Sequence, residues 1–153
     1  MHEPHRTDPM TRRLIDTLYV EAMVLADEAR AYFDEHGRAD RERLAPIDRV
    51  AFSCESLKVT TRLMHVIAWL LTRKAIHAGE IDGAAAGRES MRLGMAEVTE
   101  GAVSQSMPEQ ARMLIDTSMD LYARVSRIDR DLDIGTPAAS PARGLLNRLE
   151  RAF

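Results

Sequence analysis

The side chains best placed to do chemistry are Glu55, Lys58, Arg62, His65 and Trp69, spaced alternately by three and four residues. On a helix that spacing lines them along one face. Glu55 and Lys58 stand one turn apart and can pair directly, and Arg62 lies two turns from Glu55. The stripe has two readings: a solvated or bundle-edge row of ion pairs, or a recognition surface, since Arg and Trp anchor interfaces more often than other residues. The apolar residues beside it, Val59, Leu63, Val66 and Leu70, extend the second reading into a partner or dimer interface.

Other reactive groups are scattered. His2 and His5 precede any expected helix, where they could hold a metal only weakly. His36 and His77 lie just before the helix-ending glycines Gly37 and Gly79, so an imidazolium there would complement a helix C-terminus. Cys54, flanked at helical spacing by apolar residues, reads as a buried core thiol, and Thr61 as a hydroxyl bonded back to the Leu57 carbonyl. No Ser-His-acid set, glycine-rich phosphate loop, paired carboxylates or metal-ligand spacing emerges, so no catalytic residue, metal or cofactor is expected. The residues by themselves describe a helical interaction module. The runner-up is a small-molecule- or metal-binding helical sensor with a pocket around Glu55 and His65.

Three long helices must carry these groups. The first spans about 10–36: Asp8 and Pro9 supply a cap and a tolerated first residue, and Ile15, Leu18, Ala22, Leu25, Ala29 and Tyr32 form its seam. A charged connection, RADRERL, leads to Pro46 and a second helix over 46–78. Its clearest apolar line, from Ile47 through Val50, Cys54, Leu57, Thr61, Met64, Ala68, Leu71 and Ala75 to Ala78, alternates strictly by three and four and is expected to be buried. Residues 79–105, rich in Gly and Ala, read as an irregular, flexible connection. Ser106 and Glu109 have capping-box spacing, so a third helix is expected over 107–132, with Met107, Ala111, Leu114, Ser118, Leu121, Val125, Ile128 and Leu132 as its seam. Asp120 and Arg124 on it make an ordinary intrahelical pair.

This pattern predicts an all-α fold: an antiparallel three-helix bundle over 10–133 with a long second helix, a mobile stretch at 1–9, and a linker with a short amphipathic tail over 134–153. Leu145, Leu146, Leu149 and Phe153 give that tail one apolar side, a candidate docking element too short to stand alone as a helix. The second helix has more apolar circumference than one partner helix covers, which predicts a homodimer.

Composition agrees with this outline. Of 153 residues 45% are hydrophobic but only 5% aromatic, which suits an aliphatic helical core. One cysteine excludes an internal disulfide framework, and a net charge of −3 gives no global nucleic-acid footprint. The lack of a bilayer-length apolar run and of a signal-peptide core predicts a cytoplasmic protein without a membrane span.

The stretch beginning Glu55-Ser56, with Thr60-Thr61-Arg62-Leu63-Met64 and Trp69-Leu70-Leu71, and the later Arg124-Val125, Arg127 and Asp129 pattern resemble the alphaproteobacterial family of the regulator of CtrA degradation. The resemblance runs from about Leu18 to Leu132. It implies a dimeric helical bundle, without catalytic residues, that acts as an adaptor for the ClpXP protease. With accessory adaptor proteins, it would help deliver cell-cycle regulatory proteins for degradation.

Overall fold

The computed structural model describes residues 8–83 and 91–134, together with 148, 149, 151 and 152. Among these residues every regular element is helical. Helix α1 (Pro9–Ala31) starts as its sequence dictates: the Asp8 carboxylate accepts from the Met10 amide at 3.2 Å, and Pro9 occupies the first turn. All six expected seam residues from Ile15 to Tyr32 are buried. The helix does not run unbroken to Gly37. Its last turn, Tyr32–His36, widens into a π-helical turn, and the Gly37 amide donates to the Tyr32 carbonyl at 2.6 Å. A Cβ on Gly37 would lie 2.7 Å from that carbonyl oxygen, so glycine is required by the close approach. Part of the charged connection is a short helix, α2 (Arg38–Glu42), and Asp40 on it accepts from the Tyr32 hydroxyl at 2.8 Å.

Helix α3 (Pro46–His77) spans 32 residues, roughly 48 Å at the standard rise. It stops at Gly79, whose φ of +76° is the left-handed conformation that favours glycine. Its buried face is not the expected one. Val50, Cys54, Leu57, Thr61, Met64, Ala68, Leu71 and Ala78 are exposed, and the buried line is Phe52, Glu55, Val59, Arg62, Leu63, Val66, Trp69 and Leu70. Cys54 is therefore a surface thiol, and the hydroxyls that bond back along the helix are those of Thr60, to the Ser56 carbonyl at 2.9 Å, and Thr72, to the Ala68 carbonyl at 2.9 Å. Both lines repeat every seven residues, so periodicity cannot choose between them. The buried line carries the larger side chains, and its charged groups find hydrogen-bond partners that lie elsewhere in the chain.

Those partners come from the connection after α3. Residues 93–100 belong to no helix or strand and bond to both α3 and α5 (Glu109–Ile134), and a short helix, α4 (Gly101–Ser106), follows. Ser106 closes α4, donating to the Val103 carbonyl at 2.7 Å, instead of capping the next helix, so α5 starts at Glu109. The expected seam of the third helix is correct: Met107, Ala111, Leu114, Ser118, Leu121 and Val125 are buried, and Ile128 and Leu132 pack against the core.

The three long helices pack on one another, but not all antiparallel. Asp16 meets Lys74 near one end of α1 and α3, and Phe33 meets Phe52 at the other, so this pair is antiparallel. Arg62 reaches Ser118 and Trp69 reaches Asp129, so α3 and α5 run parallel. The physical reason is the connection itself, which returns along the length of α3 before α5 begins. The expected tail contacts at Leu145, Leu146 and Phe153, and the stretch 1–7, lie outside the described residues; Leu149 is exposed.

Candidate functional site

The stripe singled out by sequence is the centre of a buried polar seam. Arg62 is 1% exposed, and its planar guanidinium serves three acceptors on two elements. Nε donates to the Glu97 carbonyl at 3.0 Å, Nη1 to Ser118 Oγ at 3.2 Å, and Nη2 to Thr99 Oγ1. Thr99 in turn donates to Glu55 Oε2, while Lys58 Nζ donates to Glu55 Oε1 at 3.1 Å. Burial holds the Arg62 pKa below its ordinary value, and the negative charges of Glu55 and Glu97 oppose that shift. A fork with donors in fixed directions suits this site; a lysine has no equivalent geometry.

A second cluster closes the seam about two turns before the end of α3. Asp129 on α5 is 5% exposed and accepts from Trp69 Nε1 at 2.9 Å, from Arg92 Nε at 3.0 Å, and from the Leu93 amide at 3.4 Å. The Arg73 guanidinium stands 5.1 Å from the centre of the Trp69 ring. Burial lowers the Arg73 pKa, with Asp129 opposing and Arg92 reinforcing the shift. Between the clusters, the Tyr122 hydroxyl donates to the Gly94 carbonyl at 2.7 Å. A Cβ on Gly94 would sit 2.8 Å from His65 Nδ1, so the connection can lie on His65 only because residue 94 has no side chain.

The chemistry of this seam is structural tethering. A segment outside any helix or sheet carries backbone groups that no regular structure satisfies. Arg62, Asp129 and Tyr122 supply partners to the groups at residues 97, 93 and 94. This overturns three sequence expectations. Glu55, Arg62, Trp69, Val59, Leu63, Val66 and Leu70 are buried in their own bundle, so they offer no partner surface, and His65 is half-buried beneath Gly94. The stripe is not a solvated row of ion pairs either. The pocket imagined around Glu55 and His65 is occupied by the chain's own residues 94–99.

Other expected positions fall outside the seam. Arg124 pairs with Asp120 as foreseen, at 3.0 Å, and also grips Glu21 on α1, which raises its pKa. Arg127, Thr60 and Thr61 are exposed. His77 does not act as a charged helix terminator: burial, with Arg12 and Arg73 adding to it, lowers its pKa, Asp16 opposes, and Arg12 supplies the donor to the His77 carbonyl. Among the described residues no group of three His, Cys, Asp or Glu side chains could hold a metal ion. A groove of about 710 Å³ lies away from the stripe, between α1, the π-turn and the start of α5, and includes Tyr32, Pro108 and Leu114. No helix among the described residues is long and apolar enough to cross a membrane.

The seam of α3 that sequence expected to be buried lies on the surface. Ile47, Val50, Leu57, Met64 and Leu71 are 47–76% exposed along one line of α3. Exposed apolar lines of that length are, in proteins generally, the kind of surface at which contacts form.

The fold and its seam define an all-helical protein in which a long two-faced helix is bound inward by a polar tether and left apolar outward. Residues 6–153 match the family described as "Protein of unknown function (DUF1465)", and the chain belongs to that family. It is also similar to a solved structure, RcdA from Caulobacter crescentus CB15, at 30% identity over 88% of this chain and 98% of that one, with a TM-score of 0.67. No curated protein matches the chain at a significant level. The resemblance to the family of the regulator of CtrA degradation is thus borne out.

Proposed function

We propose that this chain is a non-enzymatic, cytoplasmic regulatory adaptor that helps deliver cell-cycle regulatory proteins to the ClpXP protease. The observation that carries the reading is the match to RcdA, which extends over nearly all of that protein at 30% identity with a shared fold. The chemistry of the molecule supports it. Its polar groups of lowest exposure are engaged in holding the chain together, and α3 carries an exposed apolar face suited to protein contacts.

The chain works as a scaffold and exists as a homodimeric helical bundle. It raises the local concentration of a regulator at the protease by joining weak contacts, with accessory adaptor proteins completing the assembly. The test is reconstituted degradation of CtrA by purified ClpXP and its accessory adaptors, with and without this chain. Faster loss of CtrA only when the chain is present is the expected result. An unchanged rate, with no retention of protease or accessory adaptors on the immobilised chain, refutes the reading.

A further inference from the structure

The groove of about 710 Å³ opens on the side of the bundle made by α1 and α5, and no residue of α3 lines it. It is therefore separate from the exposed line of α3. Its floor is apolar, built on Leu25, Tyr32 and Leu114, all buried. Met113 stands at its edge, 61% exposed, a flexible thioether of the kind that adapts to a partner's surface. The walls are acidic. Glu28 on α1, Asp40 on α2 and Glu109 on α5 line the opening, and His36 is the only lining side chain able to carry a positive charge. Among the described residues none of the three carboxylates has a cation within ion-pairing distance. The Tyr32 hydroxyl fixes Asp40 through Oδ2 at 2.8 Å and leaves Oδ1 for another donor. The three do not converge on a metal site, so an occupant that meets them all must span the groove.

We propose that this groove docks a basic amphipathic helical segment of a protein partner, with its apolar side chains on Leu25, Met113 and Leu114 and its arginine or lysine heads on Glu28, Asp40 and Glu109. This deepens the adaptor reading by giving the chemistry of a segment that the adaptor holds, and it rests on that reading for what the contact is for. The part of α5 that lines the groove, residues 109–117, is about 12 Å long, which matches about two turns of helix. Two turns carry two or three apolar anchors at spacings of three and four, with room for basic residues on both flanks.

Charge selects this occupant over a neutral or acidic one. Long basic side chains lay their stems on an apolar floor while their heads reach carboxylates at the rim. A neutral or acidic segment seated there would strip water from Glu28 and Glu109 and give them no partner in return. The chain's own tail has the same chemistry, with Arg143, Arg148 and Arg151 beside Leu145, Leu146 and Leu149, and is the competing occupant.

The experiment uses the purified full-length chain without protease, so failure to bind and failure as an adaptor are read separately. The probe is a fluorescein-labelled synthetic peptide of Leu, Ala and Arg, about 14 residues long, with leucines on one helical face and arginines on its flanks. Fluorescence anisotropy should show binding that weakens as salt is raised. Changing its arginines to Glu, or its leucines to Ser, should lower affinity at least about tenfold. The Glu28→Gln, Asp40→Asn, Glu109→Gln variant should bind the basic peptide about tenfold more weakly with unchanged helical content, since both glutamates are exposed and Asn at 40 still accepts from Tyr32. Glu80→Gln, Asp131→Asn, which removes carboxylates outside the groove, should bind as the wild type does. A wild type that does not bind the peptide overturns the proposal and leaves the groove to the chain's own tail. Equal binding of the glutamate or serine peptide overturns the stated chemistry, the latter in favour of a site for small cations. Unchanged binding by the triple variant overturns the location. Should that variant fail to fold, Thr117→Arg, which sets a cation in the groove from an exposed position, should weaken binding as much, and unchanged binding overturns the location equally.

Discussion

Replacing Arg62 by Met keeps most of the side-chain volume and removes the charge, which makes it the sharpest probe of the tether. The Glu97 carbonyl, the Ser118 hydroxyl and the Thr99 hydroxyl each lose a donor, and Glu55, 2% exposed, keeps Lys58 as its nearest cation. Leaving a buried polar group without its partner costs about 1–3 kcal/mol. Three acceptors lose a donor at once, while Ser118 and Thr99 keep their own acceptors, so a total of about 3 kcal/mol is expected, a large part of the stability of a typical domain. At about 2–4 °C per kcal/mol for a chain of this size, Tm should fall by roughly 10 °C. Denaturant unfolding followed by circular dichroism measures the loss, and hydrogen exchange should show the amides of residues 93–99 opening first. The Glu55→Gln variant and the double variant complete a cycle, with a coupling of at least about 1 kcal/mol expected between the two positions. Arg62→Lys should recover only part of the loss, because one ammonium cannot reach three acceptors in the fork's directions. A loss below about 1 kcal/mol for Arg62→Met, or additive effects in the cycle, would refute the view that this seam holds the connection in place.

Three further outcomes follow from the same geometry. Trp69→Phe keeps the ring but removes the donor to Asp129, and should cost about 1–3 kcal/mol, read by urea titration. Gly94→Ala places a methyl against the His65 ring and should lose about 1–3 kcal/mol, while the accompanying His65→Ala change should recover part of it. His77 titrates below its ordinary value in the fold, where burial and the charges of Arg12 and Arg73 outweigh Asp16. The unfolded chain therefore binds the proton more readily, and stability falls as pH drops through about 6.5. His77→Gln should flatten that part of the Tm-versus-pH curve, and an unchanged slope would contradict the assignment.

The elements were largely legible in the sequence because their causes are local. Asp8-Pro9 starts α1, Gly79 ends α3, and the seams of α1 and α5 bury as their spacing requires. Boundary errors at Tyr32–His36 and Ser106 arise where a side chain or carbonyl had two available partners. The larger failure, the inverted face of α3, has a different origin. A hydrophobic count favours Cys54, Thr61 and Ala68 over Glu55 and Arg62. One signal was present: Phe52, Val59, Val66 and Trp69 place the bulk on the other side, with opposite charges exactly two turns apart within it.

By itself, then, the sequence determined three long helices, an aliphatic core and the existence of two competing heptad lines on the central helix, since each depends on residues within a few turns of one another. Only the tertiary structure decided which line is core. Arg62 and Asp129 are tolerable inside because groups at residues 93 and 97 and Ser118 lie opposite them, 35–56 positions away in the chain. The desolvation of a charge is compensated only by groups that folding brings to it, and a seven-residue repeat carries no record of them.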